Sequence, residues 1–197
     1  MMNLRKSLTL VVLVSMTCIV LGSHLLADEE AKKPKLDGVT CPVSGQPVDA
    51  AATEKYLGKD VYFCCENCPK AFKKDTKKFA NKANHQLVLT GQAIQVACPL
   101  TGKGAKKGTG TDVAGVKVEF CCGNCKKAVN KLEGDEKLDK VFANLTKGFT
   151  VQTKCPVSGK AINPTAFTTY KDKKVYFCCE KCPVAFEKDP KKYEAKL

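Results

Sequence analysis

The sequence predicts an α+β fold: three small modules in tandem, each a knuckle, a β-hairpin and a short helix, behind an N-terminal signal segment. Three observations predict it. Cysteines recur at intervals of 57 residues: Cys41, Cys98 and Cys155; Cys64, Cys121 and Cys178; Cys65, Cys122 and Cys179; Cys68, Cys125 and Cys182. The same succession of turn, strand and helix signals returns within each interval. Ahead of the repeats stand a basic start, an uncharged apolar run and a short polar end, the layout of a secretory signal. The organisation read from this is a signal peptide at 1–27, a leader at 28–38, and repeats at 39–95, 96–152 and 153–197.

Arg5 and Lys6 supply the basic start, and Leu8 to Gly22 is the apolar run, 15 residues long. A membrane-spanning helix needs about 20. The expectation is therefore cleavage near Ala27 and a periplasmic or secreted chain. Leu25 is larger than a cleavage site prefers, so cleavage after Gly22, or a retained membrane anchor extended to Leu26, stands as the alternative. Cys18 lies in the apolar run behind Ser-Met-Thr, a poor lipobox, and receives no role. Asp28 to Gly38 is charged, lacks aromatic residues and reads as a disordered leader.

Each repeat opens on CPVSG (41–45, 155–159) or CPLTG (98–102), where Pro and Gly mark a tight turn that presents a thiol. Thr53 to Tyr56, a Gly-Lys-Asp turn at 58–60 and Val61 to Phe63 read as a hairpin. Cys68 to Lys74 and Asp75 to Ala83 read as helix, with Ala71, Phe72 and Phe79 at helical intervals. Asp75 and Asp189 are candidate caps, and Pro190 suits a first helical position. Gln92 to Ala97 and Phe149 to Lys154 look like strands leading into the next knuckle. The Gly-rich KGAKKGTGTD (103–112) lacks the ending and the preceding strand of a phosphate-binding loop; it reads as a hairpin turn. A single repeat carries few large apolar residues, and a core of that size rarely supplies more than about 3–5 kcal/mol, so a staple is expected.

Every repeat reads C-x22-C-C-x2-C. The first thiol comes from a turn and the other three from a strand-to-helix junction, where free N–H groups and the helix dipole lower thiol pKa. Residues 64 and 68 are i, i+4 and residues 65 and 68 are i, i+3, so both pairs share one helical face. Two distant segments thus converge, as in structural zinc sites. All twelve repeat cysteines, from Cys41 to Cys182, are candidate metal ligands. The competing reading is a disulfide framework, which export permits. Against it, adjacent cysteines have Cα atoms only about 3.8 Å apart, below the usual disulfide range of roughly 4.4–6.8 Å.

With FC at the strand end, C-x3-F after it and a KDPKKY tail (188–193), the C-x22-C-x3-C pattern resembles the TRASH and YHS family of small metal-binding domains. These are related to treble-clef zinc fingers. The resemblance covers most of 39–193. It implies a treble-clef-like knuckle, hairpin and helix around one metal, with roles in heavy-metal sensing, binding or trafficking. Cys41, Cys64 and Cys68 match the family's three thiols, as do Cys98, Cys121, Cys125 and Cys155, Cys178, Cys182. Two departures stand out. Ser44, Thr101 and Ser158 occupy the second knuckle position, where four-thiol treble clefs carry Cys. Cys65, Cys122 and Cys179 follow the FC cysteine, where the family commonly has Ser. The added cysteine is taken as the fourth ligand; a three-thiolate site with Cys65 accessory is the alternative.

All-thiolate ligation favours Zn(II), with Cu(I) as the second choice. Every methionine lies in the signal segment, so no thioether site follows. His85 is the one histidine beyond residue 27, has no counterpart in the other repeats and reads as a surface residue. No Ser-His-Asp arrangement can repeat with one histidine, and Cys65-x-x-Cys68 sits on units too short for a thioredoxin-like chain; no enzyme activity is expected. Without Arg5 and Lys6 the basic residues fall from 33 to 31 against 20 acidic ones, leaving +11. Export and the absence of aromatics interleaved with the basic residues argue against nucleic acid; three thiolate sites around divalent ions would offset part of the charge. The second repeat is the weakest copy, with Glu119 at the strand Tyr position and Val129 at that of Phe72, yet it keeps all four cysteines. Two functions follow: handling of a thiophilic ion, or structural metal in a module whose surface, including Tyr62 and Tyr176, binds an unidentified protein partner.

Overall fold

The structure, a computed structural model, describes residues 35–197. The signal peptide expected at 1–27 and the leader as far as residue 34 lie outside the described residues. No helix among the described residues is long and apolar enough to cross a membrane. The fold is a mixture of short helices and small antiparallel hairpins, in three repeated modules.

The first module contains β1 (Asp49–Tyr56), β2 (Lys59–Phe63), α1 (Asn67–Lys74) and α2 (Thr76–Leu89), followed by the short strand β3 (Ile94–Gln95). The second contains β4 (Thr111–Val113), β5 (Val116–Val118), α3 (Gly123–Asn130), α4 (Gly134–Phe142) and α5 (Leu145–Gly148), followed by β6 (Phe149–Thr150). The third contains β7 (Asn163–Tyr170), β8 (Lys173–Phe177), α6 (Lys181–Lys188) and α7 (Lys191–Glu194).

Each hairpin closes on a two-residue turn with both residues at positive φ: Leu57-Gly58, Ala114-Gly115 and Lys171-Asp172. That geometry twists with the strands and sets their register, pairing Tyr56 with Lys59, Val113 with Val116 and Tyr170 with Lys173. The segment 103–112, expected as the second hairpin turn, instead runs up to the hairpin. The alternation of buried Val113, Val116 and Val118 fixes the turn between the first two of these. The preceding segment is pinned to the module by Lys106 N–H donating to the Phe120 carbonyl and by Phe120 N–H donating to the Thr109 hydroxyl.

Phe72 wedges α1 onto the hairpin, with its ring 5.4 Å from that of Phe63 and 5.5 Å from Tyr56. Phe186 repeats this against Phe177 and Tyr170. Asp75 caps α2, its carboxylate accepting from the Lys78 N–H. α2 runs on to Leu89, beyond the expected end at Ala83. The polar Asn84 and Gln86 mask its inner face in the sequence, yet both are buried. Asn84 donates to the Phe142 carbonyl of α4 at 2.8 Å, and α2 lies along α4.

That helix pair fuses two modules. Val61, Phe63, Phe72, Ala83 and Leu87 of the first share one apolar core with Val118, Phe120, Val129, Val141 and Phe142 of the second. The scant core expected of each repeat is found only in the third, where Ile162, Val175, Phe177 and Phe186 form a separate cluster covered by Ile94 and Val96. The two linkers also pair: Ile94 lies opposite Thr150 and Gln95 opposite Phe149. Gly148 at the start of that second linker accepts from the Val96 and Ala97 N–H groups. A Cβ there would stand 2.6 Å from Pro99 Cα, so only glycine permits the approach.

A glutamine clamp ties each module together. Gln95 accepts from the Glu119 N–H and donates to the Glu119 and Ala97 carbonyls. Gln152 does the same with Tyr176 N–H and the carbonyls of Tyr176 and Lys154. The first module has Gly38 at that repeat position, and Gln86 of α2 reaches in instead, accepting from Tyr62 N–H and donating to the Tyr62 and Thr40 carbonyls. In every case the residue two before the CC pair is joined to the residue before the knuckle cysteine. Gln86→Leu strands these buried groups without partners. It is expected to destabilise the described fold by about 3 kcal/mol, read as a fall in the urea midpoint of unfolding.

Candidate metal centre

The knuckle fixes the first thiol. Cys41 N–H donates to the Gln46 carbonyl at 2.7 Å and Gly45 N–H to the Cys41 carbonyl at 2.8 Å, closing a loop that needs Gly45 at φ +75°. Cys98 and Cys155 sit in loops with the same two bonds. The side chains turn inward: Cys41, Cys98 and Cys155 are all buried. The other thiols come from the strand-to-helix junction. Cys64 follows β2 directly, Cys68 lies in the first turn of α1, and its N–H donates to the Cys65 carbonyl.

These segments meet. The sulfurs of Cys41, Cys64 and Cys68 lie within 4.8 Å of one another, as do those of Cys98, Cys121 and Cys125 and those of Cys155, Cys178 and Cys182. Cys64 and Cys68 sulfurs are 3.6 Å apart, the Cys121–Cys125 pair 3.7 Å and the Cys178–Cys182 pair 3.6 Å. The fourth cysteine stands beside each group. Cys65 Sγ is 3.8 Å from Cys64 and 3.6 Å from Cys68, Cys122 is 3.9 and 3.7 Å from Cys121 and Cys125, and Cys179 is 3.6 Å from Cys182. Tetrahedral zinc with Zn–S bonds of about 2.3 Å places its sulfurs about 3.8 Å apart. The donor chemistry and these spacings fit a thiophilic ion in each triad; the fourth cysteine neighbours the junction sulfurs but lies outside the group whose sulfurs are all within 4.8 Å of one another. The twelve repeat cysteines are free thiols; Cys65 and Cys179 are exposed, Cys122 partly so.

The hydroxyls at the second knuckle position join the site, a role that their place in the sequence did not assign. Ser44 Oγ lies 3.1 Å from Cys64 Sγ, Thr101 Oγ1 3.3 Å from Cys121 Sγ and Ser158 Oγ 3.1 Å from Cys178 Sγ. Each also bonds the knuckle thiol. Each hydroxyl thereby holds the sulfurs of its cluster in place. The signal was present in the sequence as a hydroxyl residue three positions after each knuckle cysteine.

The thiols differ in acidity. Burial pushes the Cys41 thiol up, but the Ser44 hydroxyl and the N–H groups of Ser44, Cys64 and Val43 outweigh it and bring it down to about 7. Cys98 and Cys155 follow for the same reasons. The Cys65 thiol is lowered by the N–H groups of Cys68 and Asn67 at the start of α1. Cys122 and Cys179 are lowered likewise, chiefly by the N–H groups of Cys125 and Lys181 respectively. Burial and the neighbouring sulfurs raise Cys68, Cys125 and Cys182. Each cluster thus combines sulfurs that shed protons readily with one that stays protonated until a cation displaces the proton.

Other candidates fall elsewhere. His85 is half-buried rather than a surface residue, donates or accepts at the Ala114 carbonyl through Nε2 and packs its ring 5.1 Å from Phe142; it belongs to no cysteine cluster. Tyr62 and Tyr176, weighed as contacts for a partner, are buried packing residues.

Iodoacetamide is expected to alkylate Cys65 and Cys179 of the reduced, metal-free chain ahead of the other repeat cysteines. Their lowered pKa gives thiolate at a pH where an ordinary cysteine is still protonated, so the rate rises at lower pH than for free cysteine; peptide mass mapping at timed quenches reads the order. Comparison with protein-family models, with curated proteins and with solved structures finds no match. Three groups of cysteines able to hold metal ions remain the feature from which a function has to be read.

Proposed function

We propose that this chain is an exported, non-enzymatic metal-binding protein that takes one Zn(II), with Cu(I) as the alternative, in each of three treble-clef-like modules of the TRASH/YHS type, and that it binds, buffers or delivers that ion. The carrying observation is the convergence, three times over, of a knuckle sulfur with two junction sulfurs inside 4.8 Å. Cys65, Cys122 and Cys179 are proposed as fourth ligands that close toward the knuckle sulfur on binding, supported by their spacing of 3.6–3.9 Å to the junction sulfurs, near the tetrahedral value of about 3.8 Å. Exposure of Cys65 and Cys179 supports exchange of the ion over a purely structural role, because a structural zinc site is closed. Thiolate ligation without a histidine supports a soft or borderline cation.

Native mass spectrometry of the chain purified from the exported fraction is expected to show three metal ions and no disulfide mass loss. A fully oxidised, metal-free product overturns the reading. Cys65→Ser is expected to weaken zinc at the first site by roughly 10–100-fold, measured by competition against a chromogenic chelator. An unchanged affinity removes Cys65 from the ligand set and leaves a three-thiolate site suited to Cu(I).

A further inference from the structure

The three sites are not equally accessible. Cys68 and Cys182 are buried, each 8% exposed, whereas their counterpart Cys125 is partly exposed. Conversely, the fourth cysteine is exposed in the first and third modules but partly covered in the second. The second cluster is thus open at Cys125 as well as at Cys122.

A groove of about 630 Å³ adjoins that sulfur. Its floor is the knuckle at Pro99 to Thr101, one wall is Asn124, Cys125 and Ala128 of α3, and the other is α4 and its exit, with Lys140 and Lys147. Its sequence origin is visible in the departures of the second repeat. Lys126 stands where the other copies have Pro69 and Pro183, and Val129 replaces the wedge Phe72 and Phe186. Three residues separate α3 from α4, where Asp75 alone separates α1 from α2. Among the described residues neither Lys140 nor Lys147 pairs with a carboxylate. Asp139, the acidic residue of the lining, accepts from Asn81 at 2.7 Å.

We propose that this groove admits a small anionic thiol, which removes the ion from the second site by ligand exchange at Cys125. The two lysines attract the anion, and the groove guides its sulfur to the exposed side of the cluster. The incoming thiol gives up its proton and its thiolate takes the coordination position of Cys125. The Cys125 thiolate leaves the ion and takes the proton; the metal keeps its oxidation state and no electrons move. The exposed fourth cysteines leave the first and third sites open to exchange as well, and the groove makes the second site the fastest of the three toward an anionic thiol. This rests on the metal-handling reading above.

Stopped-flow release from the zinc-loaded full chain tests it, with glutathione as the anionic thiol, 2-mercaptoethanol as the neutral one and a chromogenic chelator in excess. One of the three ions is expected to leave roughly tenfold faster than the others with glutathione, and with less acceleration for the neutral thiol. Ala128→Phe fills the groove from an exposed position and is expected to merge the fast phase with the slow ones. The double substitution Lys140→Glu and Lys147→Glu is expected to slow glutathione but leave 2-mercaptoethanol unchanged. Three ions leaving at one rate, or a fast phase that survives both variants, overturns the exchange-site proposal while leaving metal binding intact. A chain that takes up no zinc overturns both.

Discussion

The structure depends on one constraint: sulfurs from a turn and from a helix start, more than twenty residues apart in sequence, must be held together without a covalent bond between them. Backbone geometry meets most of it. Each knuckle closes on itself through two short hydrogen bonds, and N–H groups of the knuckle and junction then point at the knuckle sulfur. Thiolates surrounded by donors need less from their counter-ion, and crowded sulfurs retain a reason to accept one. The rest of a module holds the junction in place. The hairpin delivers Phe63-Cys64, an aromatic wedge seats the helix, and a glutamine amide ties the strand to the chain just before the knuckle.

The clamp shows how a repeat keeps a function while changing its parts. In the second and third modules the amide comes from three residues before the knuckle cysteine; in the first it comes from α2. The hydrogen-bonding groups of a strand edge have to be met by something, and the fold meets them from whichever neighbour is near. The cores are unequal for a related reason. α2 and α4 give the first two modules a common interior, so a metal there adds to an existing core. The third relies on a cluster of its own and two side chains of a linker, and is the module for which a small-core staple matters most.

Much of this was legible from residue spacing. The interval of 57 marks the modules, Asp75 and the phenylalanines locate the helices, and the strand-to-helix position of the CC pair explains the acidity of its second cysteine. What escaped notice shares one property: polar residues with buried, long-range roles. Gln86 and Asn84 look like the solvent face of a helix, so the pattern ends α2 at Ala83 and hides its packing on α4. Ser44, Thr101 and Ser158 stand where a further thiol would be expected and are hydrogen-bond partners of the cluster sulfurs. The Gly-rich stretch before the second hairpin resembles its turn because a local glycine count carries no information on register, which the buried valines set.

The pairing of the two linkers bears on how such a chain can be inherited. A string of beads gains or loses a copy by cutting anywhere between beads. Here the strand after the first module is bound to the strand after the second, and it shields the third module's interior. Deleting the middle copy alone would remove the partner of Ile94-Gln95 together with the helix on which α2 rests. Copy number in this architecture therefore changes only with compensating substitutions at both seams, and the three units constitute one heritable block.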